Sequence, residues 1–126
     1  MTNILVMDDD PTLLDALCDV LVSAGHAVTP MANGSKALEL VHAKDIELVI
    51  IDLFMPDKEG LETIIELRRQ CPRLKIIAIS GGGRKGAAAL DPTVNLAMAM
   101  KFGAAVAINK PFTPDQLTSA ISTALA

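Results

Sequence analysis

Four short apolar runs divide the chain, and each stops at a polar group. Ile4-Leu5-Val6-Met7 ends in Asp8-Asp9-Asp10, and Leu48-Val49-Ile50-Ile51 ends in Asp52. Ile76-Ile77-Ala78-Ile79 ends in Ser80, and Ala104-Ala105-Val106-Ala107-Ile108-Asn109 ends in Lys110-Pro111. Runs of this length, largely β-branched and without polar alternation, read as strands buried on both faces. Between them the apolar positions take helical spacing.

The pattern predicts a strand over 3–8 and a helix over 11–24, with Asp10 as N-cap and Pro11 at the first helical position. Leu13, Leu14, Leu17, Val20 and Leu21 form its inward stripe, and Gly25 ends it. His26–Met31 reads as a short strand, Asn33-Gly34 as a turn, and 35–43 as a helix with Ala37, Leu38 and Val41 inward. A strand over 47–52, a loop from Met55 to Gly60, a helix over 61–70 and a strand over 74–79 follow. A glycine-rich segment from Ser80 to Pro92 leads to a helix over 93–102, a strand over 104–109 and a helix over 114–125 capped by Thr113. Five βα units joined by right-handed crossovers give an α/β fold, a parallel sheet covered by helices on both faces.

In such a sheet all strand carboxyl ends face one way, and ligands bind outside them. The pattern therefore gathers Asp8, Asp9, Asp52, Ser80 and Lys110 at one edge. Adjacent carboxylates repel unless a cation neutralises them. Mg²⁺ takes oxygen ligands and keeps several waters, so one or two carboxylates and a substrate oxygen suffice. Asp8, Asp9 and Asp52 meet that need if the first and third strands are neighbours. Asp10 is read as a helix cap. Lys110 precedes a proline, the setting in which a cis bond costs least, and such a bond would aim its ammonium back across the strand ends.

Composition narrows the class. The chain has 126 residues, enough for one buried core, and is 51% hydrophobic, which argues against disorder. No apolar stretch reaches the roughly 18 residues of a membrane span, and the first residues lack a signal-peptide pattern. The expected location is the cytoplasm. A formal net charge of -4 argues against a nucleic-acid footprint. Trp and Tyr are absent and Phe numbers 3, so the core must be aliphatic. Cys18 and Cys71 lack metal-ligand spacing and read as buried reduced thiols. Met31, Met98 and Met100 read as packing residues. Ala97, Ala99, Ala104 and Ala105 make the fourth-helix region small and apolar, either a docking face or tight packing. Neither His26 nor His42 has a carboxylate or cysteine at ligand spacing. The run Gly81-Gly82-Gly83-Arg84-Lys85-Gly86 fits a dinucleotide fingerprint, but it follows the fourth strand rather than the first, so nucleotide binding is set aside.

The constellation resembles the receiver domain of two-component response regulators. The matching pieces are Ile4 to Asp9, Val49 to Pro56, Gly60, Ile79-Ser80-Gly81, Phe102-Gly103-Ala104 and Lys110-Pro111-Phe112. Each is weak alone, but all in order at family-like spacing are specific. The resemblance implies a flavodoxin-like doubly wound (βα)5 fold with strand order 2-1-3-4-5, as one receiver domain over 1–126 with no output domain. It implies Asp52 as phospho-acceptor, Asp8, Asp9 and Asp52 with the Phe54 backbone carbonyl as ligands of Mg²⁺ (or Mn²⁺), and Ser80 and Lys110 as phosphoryl-contacting groups. The Gly81 backbone would also meet the phosphoryl group. A sensor histidine kinase or histidine phosphotransfer protein would donate the phosphoryl group. The output would be a protein contact around helix four, strand five and helix five, in a monomer or weak dimer that binds neither nucleic acid nor membrane. The protein would be a signalling module that catalyses only its own phosphorylation and slow dephosphorylation.

Three departures stand out. Ala107 takes the strand-five position where the family often has an aromatic switch residue. The segment after Ser80 is longer than usual, and its three glycines predict high backbone freedom. Phe54 sits two residues after Asp52, where many relatives carry a polar side chain. Two other readings remain open. Asp8-Asp9-Asp10-Pro11-Thr12 also reads as D-x-D-x-T, similar to haloacid dehalogenase-type phosphatases, with Asp8 as nucleophile and Asp10 as general acid, which leaves Asp52 unexplained. A receiver fold that docks without taking phosphate is the other.

The apolar Phe54 cannot orient a hydrolytic water by hydrogen bonding, so self-dephosphorylation is expected to be slow. A phosphate-release assay should show Phe54→Asn losing its phosphoryl group faster than the parent, and an equal rate would remove Phe54 as the cause.

Overall fold

The computed structural model describes residues 2–53, 60–81, 92–110 and 112–126, the side chains of 81 and 92–96 excepted. Five strands and five helices alternate: β1 (Asn3–Met7), α1 (Pro11–Ser23), β2 (Ala27–Met31), α2 (Ala37–Ala43), β3 (Leu48–Asp52), α3 (Gly60–Gln70), β4 (Lys75–Gly81), α4 (Pro92–Phe102), β5 (Val106–Lys110) and α5 (Pro114–Leu125). All pairings are parallel, in the order β2-β1-β3-β4-β5. This is the expected doubly wound topology. The chain runs outward from β1 to β2, then crosses back to β3 on the other side, which places the switch point between β1 and β3.

Strand side chains alternate between two cores. Leu5, Met7, Val49, Ile51, Ile76 and Ala78 pack with Ala37, Val41, Ile64, Leu67 and Ala99 from α2, α3 and α4. Ile4, Val6, Leu48, Ile50, Ile77 and Ile79 pack with Leu17, Leu21, Leu117, Ala120 and Ile121 from α1 and α5. Two-sided burial explains why β1, β3 and β4 carry apolar runs without polar alternation. The core is aliphatic throughout, as the composition requires. No helix among the described residues is long and apolar enough to cross a membrane.

Local signals set the element ends. The Asp10 side chain accepts from the N–H groups of Thr12 (3.0 Å) and Leu13 (3.4 Å), capping α1 ahead of Pro11. Gly25, at φ +92°, closes α1: its N–H donates to Val22 O and that of His26 to Leu21 O. Thr113 and Gln116 form a reciprocal capping box on α5, the T-x-x-Q pattern at its start. On β2, Ala27 N–H donates to Thr2 O and Met31 O accepts from Asp8 N–H, so Pro30 lies at an outward-facing position of this edge strand.

Several expectations shift. The β4 strand runs on through Ser80 to Gly81, β5 starts at Val106 rather than 104, and α2 starts at Ala37 rather than 35. Cys18 and Cys71 are only half-buried. Burial raises the Cys18 thiol pKa, and the Asp15 and Asp19 charges raise it further, which keeps that thiol protonated. Met98 and Met100 are exposed rather than packed, because the sheet side of α4 is taken by the small Ala99. Ala99 and Ala104 are buried, while Ala97 and Ala105 face outward. His26 is half-buried, with Nδ1 accepting from Thr2 N–H at 3.3 Å, and His42 is exposed.

The first residue of α3 touches the end of β3. A Cβ on Gly60 would clash with the Asp52 carbonyl oxygen and the Leu53 backbone, so only glycine fits. Gly60 N–H donates to Leu53 O, and Leu53 N–H donates to Ile79 O, both at 2.9 Å. Gly60→Ala is therefore expected to push α3 off the strand end and cost about 2 kcal/mol. Urea unfolding measures this, and an unchanged midpoint would show that the contact yields freely.

Candidate functional site

The site follows from the sheet. Met7 is aligned with Ile51 on adjacent strands, so Asp8 leaves β1 beside the point where β3 ends in Asp52. Asp8 and Asp52 are each 1% exposed, and Asp9 is partly exposed. Asp8, Asp9 and Asp52 each bring one carboxylate oxygen within 4.8 Å of the others. The turn after β1 holds Asp8 in place, since Asp10 N–H donates to Asp8 Oδ1 at 2.9 Å.

Lys110 ends β5 two strands away and reaches back over the end of β4. Its Nζ lies 3.0 Å from Asp8 Oδ2 and donates to Asp52 Oδ2 at 3.1 Å. Burial works to lower the lysine pKa, but the Asp52 charge and the contacts with Asp8 outweigh it, and the net direction is upward. A raised folded-state value means the lysine is charged at neutral pH. The stability it contributes is present below its unfolded-state pKa and is lost as pH rises through the folded one, in the alkaline range.

Ser80 stands one residue beyond Ile79, the partner of Asp52 across β3 and β4. Its Oγ is buried and, among the described residues, has no hydrogen-bond partner. Among the described residues, Asp8 Oδ2 likewise has no partner of hydrogen-bond geometry, and it lies 3.0 Å from the Lys110 ammonium. Unsatisfied buried oxygens are uncommon in folded proteins and call for a ligand or ordered water. Among the described residues, the Asp8, Asp9 and Asp52 carboxylates cluster with the Lys110 ammonium. An all-oxygen donor set of this kind suits Mg²⁺ or Mn²⁺ rather than a thiophilic metal. The donors present thus fit such an ion.

The sequence profile of the response regulator receiver domain matches residues 4–122. This chain belongs to that family. Among curated proteins the receiver is similar to the transcriptional regulatory protein FixJ of Bradyrhizobium diazoefficiens, 32% identical over 124 residues, which cover 98% of this chain and 56% of that protein. It is also 32% identical over 123 residues to the DNA-binding transcriptional regulator NtrC of Azospirillum brasilense, covering 98% of this chain and 24% of that one. The receiver thus spans about half or less of these relatives. Among solved structures it matches a response regulator receiver domain protein from Clostridium thermocellum (TM-score 0.86, 28% identity, 99% and 94% of the two chains). The receiver domain of NtrX from Brucella abortus matches as well (TM-score 0.86, 28% identity, 97% of each).

Of the residues singled out in the sequence, the structure brings Asp8, Asp9, Asp52 and Lys110 into one cluster and sets Ser80 and Gly81 at the same sheet edge. Phe54, Pro111 with its peptide bond, and the glycine-rich segment 82–91 lie outside the described residues. Ala107 is half-buried against the core on the α2, α3 and α4 side, where it offers a methyl group and no ring. Sequence reasoning missed the hydrogen bond from the Asp10 backbone that fixes Asp8. The adjacency of Asp8 and Asp10 in an acidic turn is the signal that could have suggested it.

Removing the ammonium leaves two buried carboxylates facing each other. In EDTA, Lys110→Met is expected to lose about 3 kcal/mol. Asp52→Asn added to it should recover part of that loss in a double-mutant cycle of urea unfolding, and simple additivity would show that the Lys110–Asp52 contact carries no coupling energy.

Proposed function

We propose that this receiver accepts a phosphoryl group on Asp52 from a phosphohistidine, with Mg²⁺ bound beside it. The observation that carries the reading is the Lys110 ammonium held between Asp8 and Asp52, at the same edge as the unpartnered Ser80 hydroxyl. An Asp52 carboxylate oxygen attacks phosphorus and forms the acyl-phosphate bond. The P–N bond breaks, and its electron pair leaves with the imidazole nitrogen, which takes a proton from water. Lys110 and Ser80 meet the equatorial oxygens where charge collects, and the Gly81 backbone N–H is assigned the same task. Asp8 and Asp9, with the Phe54 carbonyl as the resemblance implies, would hold the metal, which neutralises the carboxylate and phosphoryl charges.

The donor is a sensor histidine kinase or a histidine phosphotransfer protein, and the compartment is the cytoplasm. The added charge of about -1.5 to -2 biases the surface formed by α4, β5 and α5 toward a protein target. The regulators matched above are named for transcription, and a DNA-binding partner domain is one such target. The receiver itself carries a formal net charge of -4, which does not favour nucleic-acid binding. The phosphatase reading draws no support from the site, because the Asp10 side chain is exposed and already caps α1.

Incubation with acetyl phosphate and Mg²⁺, followed by peptide mass mapping, should give a single adduct on Asp52. It should be absent in Asp52→Asn and with EDTA. An adduct on Asp8 would replace this reading with the phosphatase one, and no adduct with any donor would leave a docking module. Mg²⁺ at about 100-fold above its Kd should stabilise the chain by about 2.7 kcal/mol. Asp9→Asn should lose that increment in a melting experiment, whereas an unchanged increment would take Asp9 out of the metal site.

A further inference from the structure

The α3 helix is held at both ends by contacts that the proposed phosphoryl chemistry does not use. At its start, Gly60 lies against the Asp52 carbonyl without room for a methyl group, and its N–H donates to Leu53 O at 2.9 Å. Thr63, Ile64 and Leu67 bury one side of the helix. Near its end, the Arg68 guanidinium donates through Nη1 to Pro72 O at 2.7 Å and through Nη2 to Gly103 O at 2.8 Å. Gly103 lies 35 residues away, in the turn that joins α4 to β5.

That turn is shaped around the arginine. Gly103 has φ +130°, and a Cβ there would come within 2.9 Å of Arg68 Cγ and Nε. The N–H groups of Gly103 and Ala104 close α4 by donating to Met100 and Ala99 carbonyls. Hydrogen bonds from a charged donor to helix-terminal carbonyls are among the stronger ones, and the cation also suits the negative end of the helix dipole. One side chain therefore joins the C-terminal ends of α3 and α4. Between Gly60 and Arg68 the helix is buried on one side, so its two end contacts are joined by one packed element.

We propose that α3 is the strut that couples phosphoryl loading at Asp52 to the α4–β5 turn, with Arg68 as its positioning residue. The inference rests on Asp52 being the phospho-acceptor. It supplies a route to α4 and β5 that does not pass through a ring at position 107, where this chain has only the Ala107 methyl. A coupling between two sites needs an element whose state both ends bias, and α3 with its two end contacts is that element.

The test uses beryllium fluoride with Mg²⁺ as a stable phosphoryl analogue, with amide exchange read by NMR. In the parent chain, loading should change the exchange rate of the Gly103 and Ala104 amides by about fivefold or more, the scale of ordinary coupling energies. The Leu17 amide, within α1 and away from that surface, should not follow. In Arg68→Met the change at Gly103 and Ala104 should vanish while analogue uptake persists. Arg68→Lys places one point donor where two carbonyls need a fork, so it should show the same loss and serves if Arg68→Met fails to fold. An undiminished response at Gly103 and Ala104 in both variants overturns the strut and leaves Asp52 as acceptor. A parent chain that takes up no analogue overturns the acceptor reading, and the strut with it.

Discussion

Like charge forced together at the end of two neighbouring strands is the constraint on which the rest of this structure turns. Asp8 and Asp52 are buried because β1 and β3 are neighbouring interior strands of a sheet covered on both sides. Exposure to water, the usual relief for a carboxylate, is closed to them. Lys110 offsets part of their charge from two strands away, which ties the position of β5 to the chemistry at β3. The fold and the site are thus one problem. The strand order that gives a buried aliphatic core also gathers the acidic cluster at the carboxyl edge of the sheet.

Much of this was legible in the chain. Strand positions followed from apolar runs without alternation, and the helix caps at Asp10 and Thr113 from their residue types. The joint edge for Asp8, Asp9, Asp52, Ser80 and Lys110 followed from the parallel topology alone. What escaped was of another kind. The tight fit of Gly60 on Asp52 depends on how closely a helix start approaches a strand end, which no local pattern encodes. The Arg68 contacts join residues 35 positions apart, and an arginine near a helix end looks the same whether it meets solvent or a distant carbonyl. Met98 and Met100 misled because hydrophobicity was read as burial, whereas α4 packs through Ala99.

Strand ends blurred for a related reason. Ser80 is polar, so the apolar run seemed to stop before it, yet β4 continues because its neighbours β3 and β5 supply the ladder on both sides. A polar side chain kept in an interior strand, buried and without a hydrogen-bond partner among the described residues, is a local conflict of the type that sites of chemistry retain. The fold tolerates it because the surrounding strands are held by contacts elsewhere.

Pro30 has a consequence for the outer rim of the sheet. In β2 the residues that bond to β1 are Ala27 and Met31, and Pro30 stands on the opposite side, where a new strand would have to dock. Lacking an N–H, it removes a donor from that rim and places a rigid ring there. A passing extended chain, whether another copy or an unfolded neighbour, meets an interrupted ladder at β2. Pro30 thus makes the β2 edge a poorer template for an added strand than an edge with every donor in place.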